Sequence, residues 1–184
     1  MKTKTFSVAV LALFVATQDA SCYEGSVSLT SASEITKMAD RKVKHLTDAN
    51  YFRAQAMGTA THQNTAKIKA QMAANTELFR TVWAWVDEFM GNYVESVEQN
   101  AEDYVLTFEA NNKETLEKKL FDDLDIAFEK VEYNREEGLY AICLVVEVKR
   151  KKVFEAFASV FSADSQCKNI YDQKKMEALF KKLF

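Results

Sequence analysis

Leu139-Tyr-Ala-Ile-Cys-Leu-Val-Val-Glu-Val148 alternates with a period of two. Tyr140, Ile142, Leu144, Val146 and Val148 share one face, and Ala141, Cys143, Val145 and Glu147 share the other. Because most of both faces is apolar, the stretch predicts a strand that is central in its sheet or covered on two sides. Just upstream, Asn134-Arg-Glu-Glu-Gly138 predicts a hairpin turn in which Gly138 supplies a positive φ. Leu124–Phe128 and Val131–Tyr133 form the strand that leads into it. A further strand is expected at Tyr51–Met57, between Asn50 and Gly58, with a loop over Thr59–Gln63 behind it.

Between these strands the period changes. Ile68, Met72, Phe79, Val82, Val86, Phe89, Tyr93 and Val97 recur at three- and four-residue steps, which predicts a long helix after a cap at Thr61 or Asn64. Ala66, Ala70, Ala73 and Ala74 favour helix and allow close packing on a sheet, while Gly91 is expected to weaken or bend it. Trp83 flanks the apolar stripe, but Trp85 falls roughly 100° off its centre. Trp85 therefore needs cover from a second helix or the N-terminal segment, or else it is an interface residue for a subunit or partner. Asn100–Leu120 repeats the helical spacing through Tyr104, Val105, Phe108, Leu116 and Leu120, with an interruption at Asn111-Asn112 that leaves one helix or two short ones. Val153–Phe161 and Tyr171–Phe184 close the chain as helices. The last has Met176, Leu179, Phe180 and Leu183 opposite Lys174, Lys175, Lys181 and Lys182, a pattern that fits packing on the sheet or lying on a membrane. The expected architecture is α+β: a small antiparallel sheet of about three strands against a long helix, with further C-terminal helices, forming a single domain over 50–184.

Composition agrees. The 184 residues contain 4 Gly and no Pro, where average usage would give roughly nine prolines. Turn-dense sandwiches and propellers need more punctuation than that. With 24 Lys+Arg against 27 Asp+Glu the net charge is -3, so no nucleic-acid partner is expected. Two His and three Cys leave little for a structural zinc site, and no metal or cofactor is expected. The hydrolase elbow, phosphate-binding loop and zinc-protease motifs are missing. His62, just before the long helix, is a capping or surface residue or else a general base; His45 lies farther upstream. Asp122-Asp123-Leu-Asp125 lacks the Gly and distant Glu of a calcium loop and is expected to be a solvated strand entry. Cys143 is expected to be a small buried hydrophobe, and its pairing with Cys167 stays open, because spacing alone cannot bring two cysteines within disulfide range. Lys149-Arg-Lys-Lys152 is a solvated junction or a contact for anionic headgroups.

The first residues form an address. A cationic start with Lys2 and Lys4 precedes the uncharged run Phe6–Ala16, which is too short to span a bilayer but fits a secretory leader. Residues 1–21 are therefore expected to be a signal peptide. Ala20-Ser21-Cys22 places small residues before a cysteine at the right distance, so Cys22 is the expected lipidation site, although Asp19 stands where an aliphatic residue is usual. Acyl chains on Cys22 would anchor the chain in a membrane. Residues 22–49 are then a polar tether, with a short helix expected around Ser33–His45.

Three passages carry a resemblance. They are Asn50-Tyr-Phe-Arg53 opening a strand; Asn64-Thr-Ala-Lys67 through Met72-Ala-Ala74 to Glu77-Leu78 on the long helix; and Gly138-Leu-Tyr140 leading to Val146-Glu-Val148, with Ile170-Tyr-Asp172 before the last helix. In this order they resemble small Bacteroidota envelope lipoproteins, themselves similar to the family named after the twenty-kilodalton Helicobacter lipoprotein. The resemblance covers roughly residues 50–184. It implies a compact α+β domain held at the outer membrane by a lipidated cysteine, and only Cys22 carries over as a functional residue. Ala54 and Ala56 stand where that family usually has glycine.

The expected function is a non-enzymatic cell-envelope lipoprotein, exported and either lipid-anchored in the outer membrane or periplasmic, that acts as a structural or protein-interaction module. Self-association through Trp85 is part of that expectation. The alternative is a secreted or periplasmic small-ligand binder with an apolar pocket between the long helix and the sheet. The 13 Phe and 6 Met residues motivate it. A third reading, an enzyme with dispersed residues, has His62 as its most obvious base.

Overall fold

The computed structural model describes residues 48–97 and 101–183. The leader, Cys22 and the expected helix around Ser33–His45 lie outside the described residues. Strands β1 (Tyr51–Ala60), β2 (Asp125–Asn134) and β3 (Leu139–Lys149) and helices α1 (Gln63–Glu95), α2 (Ala101–Phe121), α3 (Arg150–Ala163) and α4 (Gln173–Leu183) follow in the order β1-α1-α2-β2-β3-α3-α4. A single 3-10 turn, Cys167–Asn169, separates the last two helices. The strands form one antiparallel sheet in the order β1-β3-β2, so the expected α+β class is observed and the doubly apolar stretch is the central strand. Gly138 takes the hairpin turn with φ 65°.

The register explains which face is buried. Phe52 pairs with Val148, Ala54 with Val146, Ala56 with Leu144 and Gly58 with Ile142, and these residues face α1. On the opposite face Arg53 lies across from Glu147, and Cys143 and Val145, with Phe128 against them, are 1% and 0% exposed. A bulge between Ile126 and Phe128 restores β2 to register with β3, so the two expected strand pieces form one strand.

Several local expectations need correction. β1 continues through Thr59 and Ala60, because both residues pair with β3 rather than forming a loop. His62 occupies the cap of α1 and makes no side-chain capping bond, so neither Thr61 nor Asn64 is the cap. On the first half of α1 the buried face differs from the expected stripe at Ile68 and Met72. Ile68 and Met72 are 58% and 66% exposed, and Ala66, Ala70, Ala74 and Leu78 form the buried face. The cause is distance. A Cβ on Gly58 would stand 2.2 Å from the carbonyl oxygen of Ala66 and 2.5 Å from the amide nitrogen of Ala70, so only methyl-sized side chains fit beneath this part of the helix. From Leu78 onward the buried positions carry larger side chains, among them Val82, Trp85, Val86 and Phe89.

α2 is a single helix through Asn111-Asn112. Asn112 is stabilised there by its own amide, which donates to the Phe108 carbonyl at 3.1 Å and to Asp164 Oδ2 at 2.9 Å. The folded unit also reaches slightly further upstream than residue 50. The Asp48 carboxylate accepts the backbone N–H groups of Asn50 and Tyr51 and pairs with Arg53 at 2.6 Å.

Trp85 is 7% exposed. Phe89 stacks on it at 5.2 Å, and Phe52 and Phe180 close over it at 5.7 and 6.3 Å. The expected partner surface at Trp85 is thus covered from within, by β1 and the last helix. Trp83 also lies in the core and donates its indole N–H to Glu117 at 3.0 Å.

Candidate functional site

An open groove lies between α3 and α4. α3 follows β3 directly and turns Val153, Phe157, Val160 and Phe161 inward, because apolar residues recur there at helical spacing. α4 returns antiparallel to it. Phe161 faces Tyr171 near the start of α4 at 6.4 Å, and Phe154 stacks on Phe180 near its end at 4.4 Å.

Hydrogen bonds fix the connection between the two helices. The Asp164 carboxylate accepts the N–H groups of Gln166 and Cys167 and the amide of Asn112. Burial pushes its pKa up, but these donors outweigh burial and hold it below the ordinary aspartate value. The Tyr93 hydroxyl donates to the Ile170 carbonyl at 2.6 Å and accepts the Asp172 N–H at 2.7 Å. Burial keeps that phenol protonated beyond its usual range. Asp172 in turn accepts the N–H of Lys175, which caps α4.

Within this frame the groove has a volume of about 680 Å³. Its floor consists of Phe154, Ala158, Met176 and Phe180. Lys151, Glu155 and Lys181 rim one end, and Ser159, Gln173 and Glu177 rim the other. Lys151 approaches Glu155 at 3.7 Å, and the Gln173 amide donates to Glu177 at 2.8 Å. The site can hold an apolar group lengthwise and offers ammonium groups at one end. The size is in the range of small-molecule pockets.

A second crevice, of about 540 Å³, runs between β1 and α1. Ala54, Ala56 and Ala73 leave the space, and Arg53, Glu77 and Thr81 place polar groups along it. The pocket expected between helix and sheet thus corresponds to a crevice of mixed lining at the sheet edge. Under the first turns of α1 the alanine face leaves no room, and the aromatic-lined groove lies between two helices instead.

The other singled-out residues are dispersed. His62 is exposed at the start of α1. Asp123 pairs with Lys152 at 3.5 Å, and no group of three His, Cys, Asp or Glu side chains gathers among the described residues. The basic run is divided. Arg150 lies over the Phe52 ring at 4.4 Å and donates to the Asp48 carbonyl at 2.7 Å, while Lys151 reaches the groove. Cys143 and Cys167 lie in separate apolar clusters and are not bridged to one another, so the open question of a disulfide between them resolves against it.

Among the described residues no helix is long and apolar enough to cross a membrane. The groove between α3 and α4 is not among the sequence expectations, since Phe154, Met176 and Phe180 each fit a core position in their own helix; the basic back of the last helix is the one signal in the sequence that points to it. No protein family, curated protein or solved structure matches this chain.

Proposed function

We propose that the chain is a non-enzymatic module of the cell envelope, exported by residues 1–21, held to the membrane through acyl chains on Cys22, and active through what it binds. The observation that carries the binding role is the groove between α3 and α4, whose floor of Phe154, Ala158, Met176 and Phe180 is apolar and whose ends are polar. A pocket of that make-up holds a ligand by burial and orients it by charge. The address rests on the cationic start, the apolar run and Ala20-Ser21-Cys22.

A soluble carrier shares the groove and dispenses with the anchor. Intact mass of the mature protein extracted from membranes separates the two. A chain that begins at Cys22 and carries acyl mass supports the tethered module. A secreted chain cut elsewhere and without acyl mass supports the carrier, and a cytosolic chain that keeps Met1 overturns both addresses.

A further inference from the structure

We propose that the groove between α3 and α4 is a binding site for a single-chain carboxylate amphiphile, a free fatty acid of medium length, seated with its chain on the aromatic floor and its carboxylate between Lys151 and Lys181. The inference rests on the binding role proposed above and is independent of the anchor.

Three features fix the ligand class. First, the helices are antiparallel, with Phe154 stacked on Phe180, so Lys151 and Lys181 come to the same end of the groove. Only Lys151 is engaged there, at 3.7 Å from Glu155; Lys181 has no ion-pair partner among the described residues. An anion at that end meets two exposed ammonium groups beside an apolar wall, so its head stays in water while its chain is covered. Second, the floor is continuous. Phe154, Ala158 and Met176 line it without a polar interruption, and Met176 is fully buried beneath it. A methylene chain fits such a floor, whereas a sugar or nucleotide would leave its hydroxyl groups unpaired. Third, the groove is finite. Lys151 to Ser159 spans about 12 Å along α3, and Ser159, Gln173 and Glu177 make the far end polar. One short chain fits, with its methyl end stopping before that boundary.

Isothermal titration of the full chain with hexanoate, octanoate, decanoate, methyl decanoate and decyltrimethylammonium tests this. Carboxylates should bind at one per chain, about fourfold more tightly for each added methylene, and the gain should level off once the groove is filled. Methyl decanoate and the cationic amphiphile should bind at least tenfold more weakly than decanoate. Lys151→Ala with Lys181→Ala should weaken decanoate at least tenfold and leave the methyl ester unchanged. Both lysines are on the rim, so the double variant should keep the parent circular dichroism. Ala158→Phe should block the groove; if that variant unfolds, the lysine pair decides. The proposal is overturned if decanoate does not bind, if ester and acid bind alike, or if the lysine pair has no effect. Binding to anionic phospholipid vesicles with no binding of monomeric decanoate also overturns it and makes this end of the molecule a membrane-facing surface. A chain found in the cytosol that still binds decanoate would remove the address and leave this site intact.

Discussion

Gly58 lies so close beneath α1 that a side chain on it would collide with the backbone at Ala66, at 2.2 Å from its carbonyl oxygen. The obstacle is main chain on a helix already packed against β1 and β3, so it cannot be relieved by a rotamer change. Gly58→Ala is therefore expected to destabilise the fold by about 2–3 kcal/mol through overpacking. Gly91 is the internal control, since nothing lies within 4 Å of a Cβ built on it. Gly91→Ala, in mid-helix, should stabilise by about 0.5–1 kcal/mol. Urea midpoints of the two variants check the pair, and equal shifts would refute the close contact.

Trp85 holds α4 to the rest of the molecule. Its ring contacts come from β1 through Phe52 and from α4 through Phe180. Trp85→Ala should cost about 3–5 kcal/mol, as for other large-to-small changes in a core. Phe180→Ala removes a half-buried ring and should cost less, while shifting the tryptophan emission to longer wavelength as water reaches Trp85. An unshifted spectrum in the Phe180 variant would show that α4 does not cover the indole.

The Tyr93 hydroxyl serves both Ile170 and Asp172. Tyr93→Phe keeps the ring on Phe161 but leaves a carbonyl and an N–H without their shared partner, at a cost of about 1–3 kcal/mol. The loss should be local, so amide exchange across α4 should accelerate more than exchange in the sheet. Burial raises the pKa of this phenol. Its contribution is thus complete below the ordinary tyrosine value of 10.0 and is lost as pH rises through the higher folded value.

Acid acts through different groups. The Asn50 N–H, then Arg53 and the Tyr51 N–H, lower the pKa of Asp48 against the opposing effect of burial, and Asp164 is lowered by Asn112, Cys167 and Gln166, which outweigh its own burial. Each contributes stability above the ordinary value of 3.8 that disappears as pH falls through its lower folded pKa. Asp87 has the opposite sign: burial raises it, so its charge weakens the fold as pH rises. Denaturation from pH 2 to 6 should show a shallower acid limb for Asp164→Asn than for the parent. Asp87→Asn should gain stability at neutral pH. An unchanged acid limb in the Asp164 variant would remove that carboxylate from the account.

Cys167 is 1% exposed, and burial, reinforced by Asp164, pushes its thiol pKa up to about 12. At pH 8 it is a protonated, enclosed thiol, and Cys143 is equally enclosed. A native chain should leave both unmodified by a water-soluble maleimide over minutes, with labelling of both on addition of denaturant. Mass spectrometry of labelled peptides reads this directly, and rapid native labelling at Cys167 would contradict the packing of the 3-10 turn.

How much of this was legible depended on the scale of the interaction. Leu139–Val148 announced its central place because a strand apolar on both faces has few other positions. α1 is equally clear as a helix, and the close packing expected of Ala66, Ala70 and Ala74 is observed; only Ile68 and Met72 depart from the expected stripe, because hydrophobicity does not register how closely a strand approaches. Asn111-Asn112 looked like a break because the residue that satisfies Asn112, Asp164, is distant in sequence. The groove was hidden for the same reason. Phe154 and Phe180 each look like core in their own helix, and only the antiparallel return of α4 puts Lys151 and Lys181 at one end of a cleft.

The strand order has one more effect. β1 hydrogen-bonds only to β3, with Tyr51 across from Lys149, so the first strand is synthesised, and if exported is threaded, long before its sole neighbour exists. During that interval its backbone donors and acceptors have nothing native to bind, and closing so long a loop is slow compared with forming the hairpin of β2 and β3. Assembly is therefore gated by the arrival of the third strand, and any chaperone that attends this chain has Tyr51–Ala60 as the segment to shield.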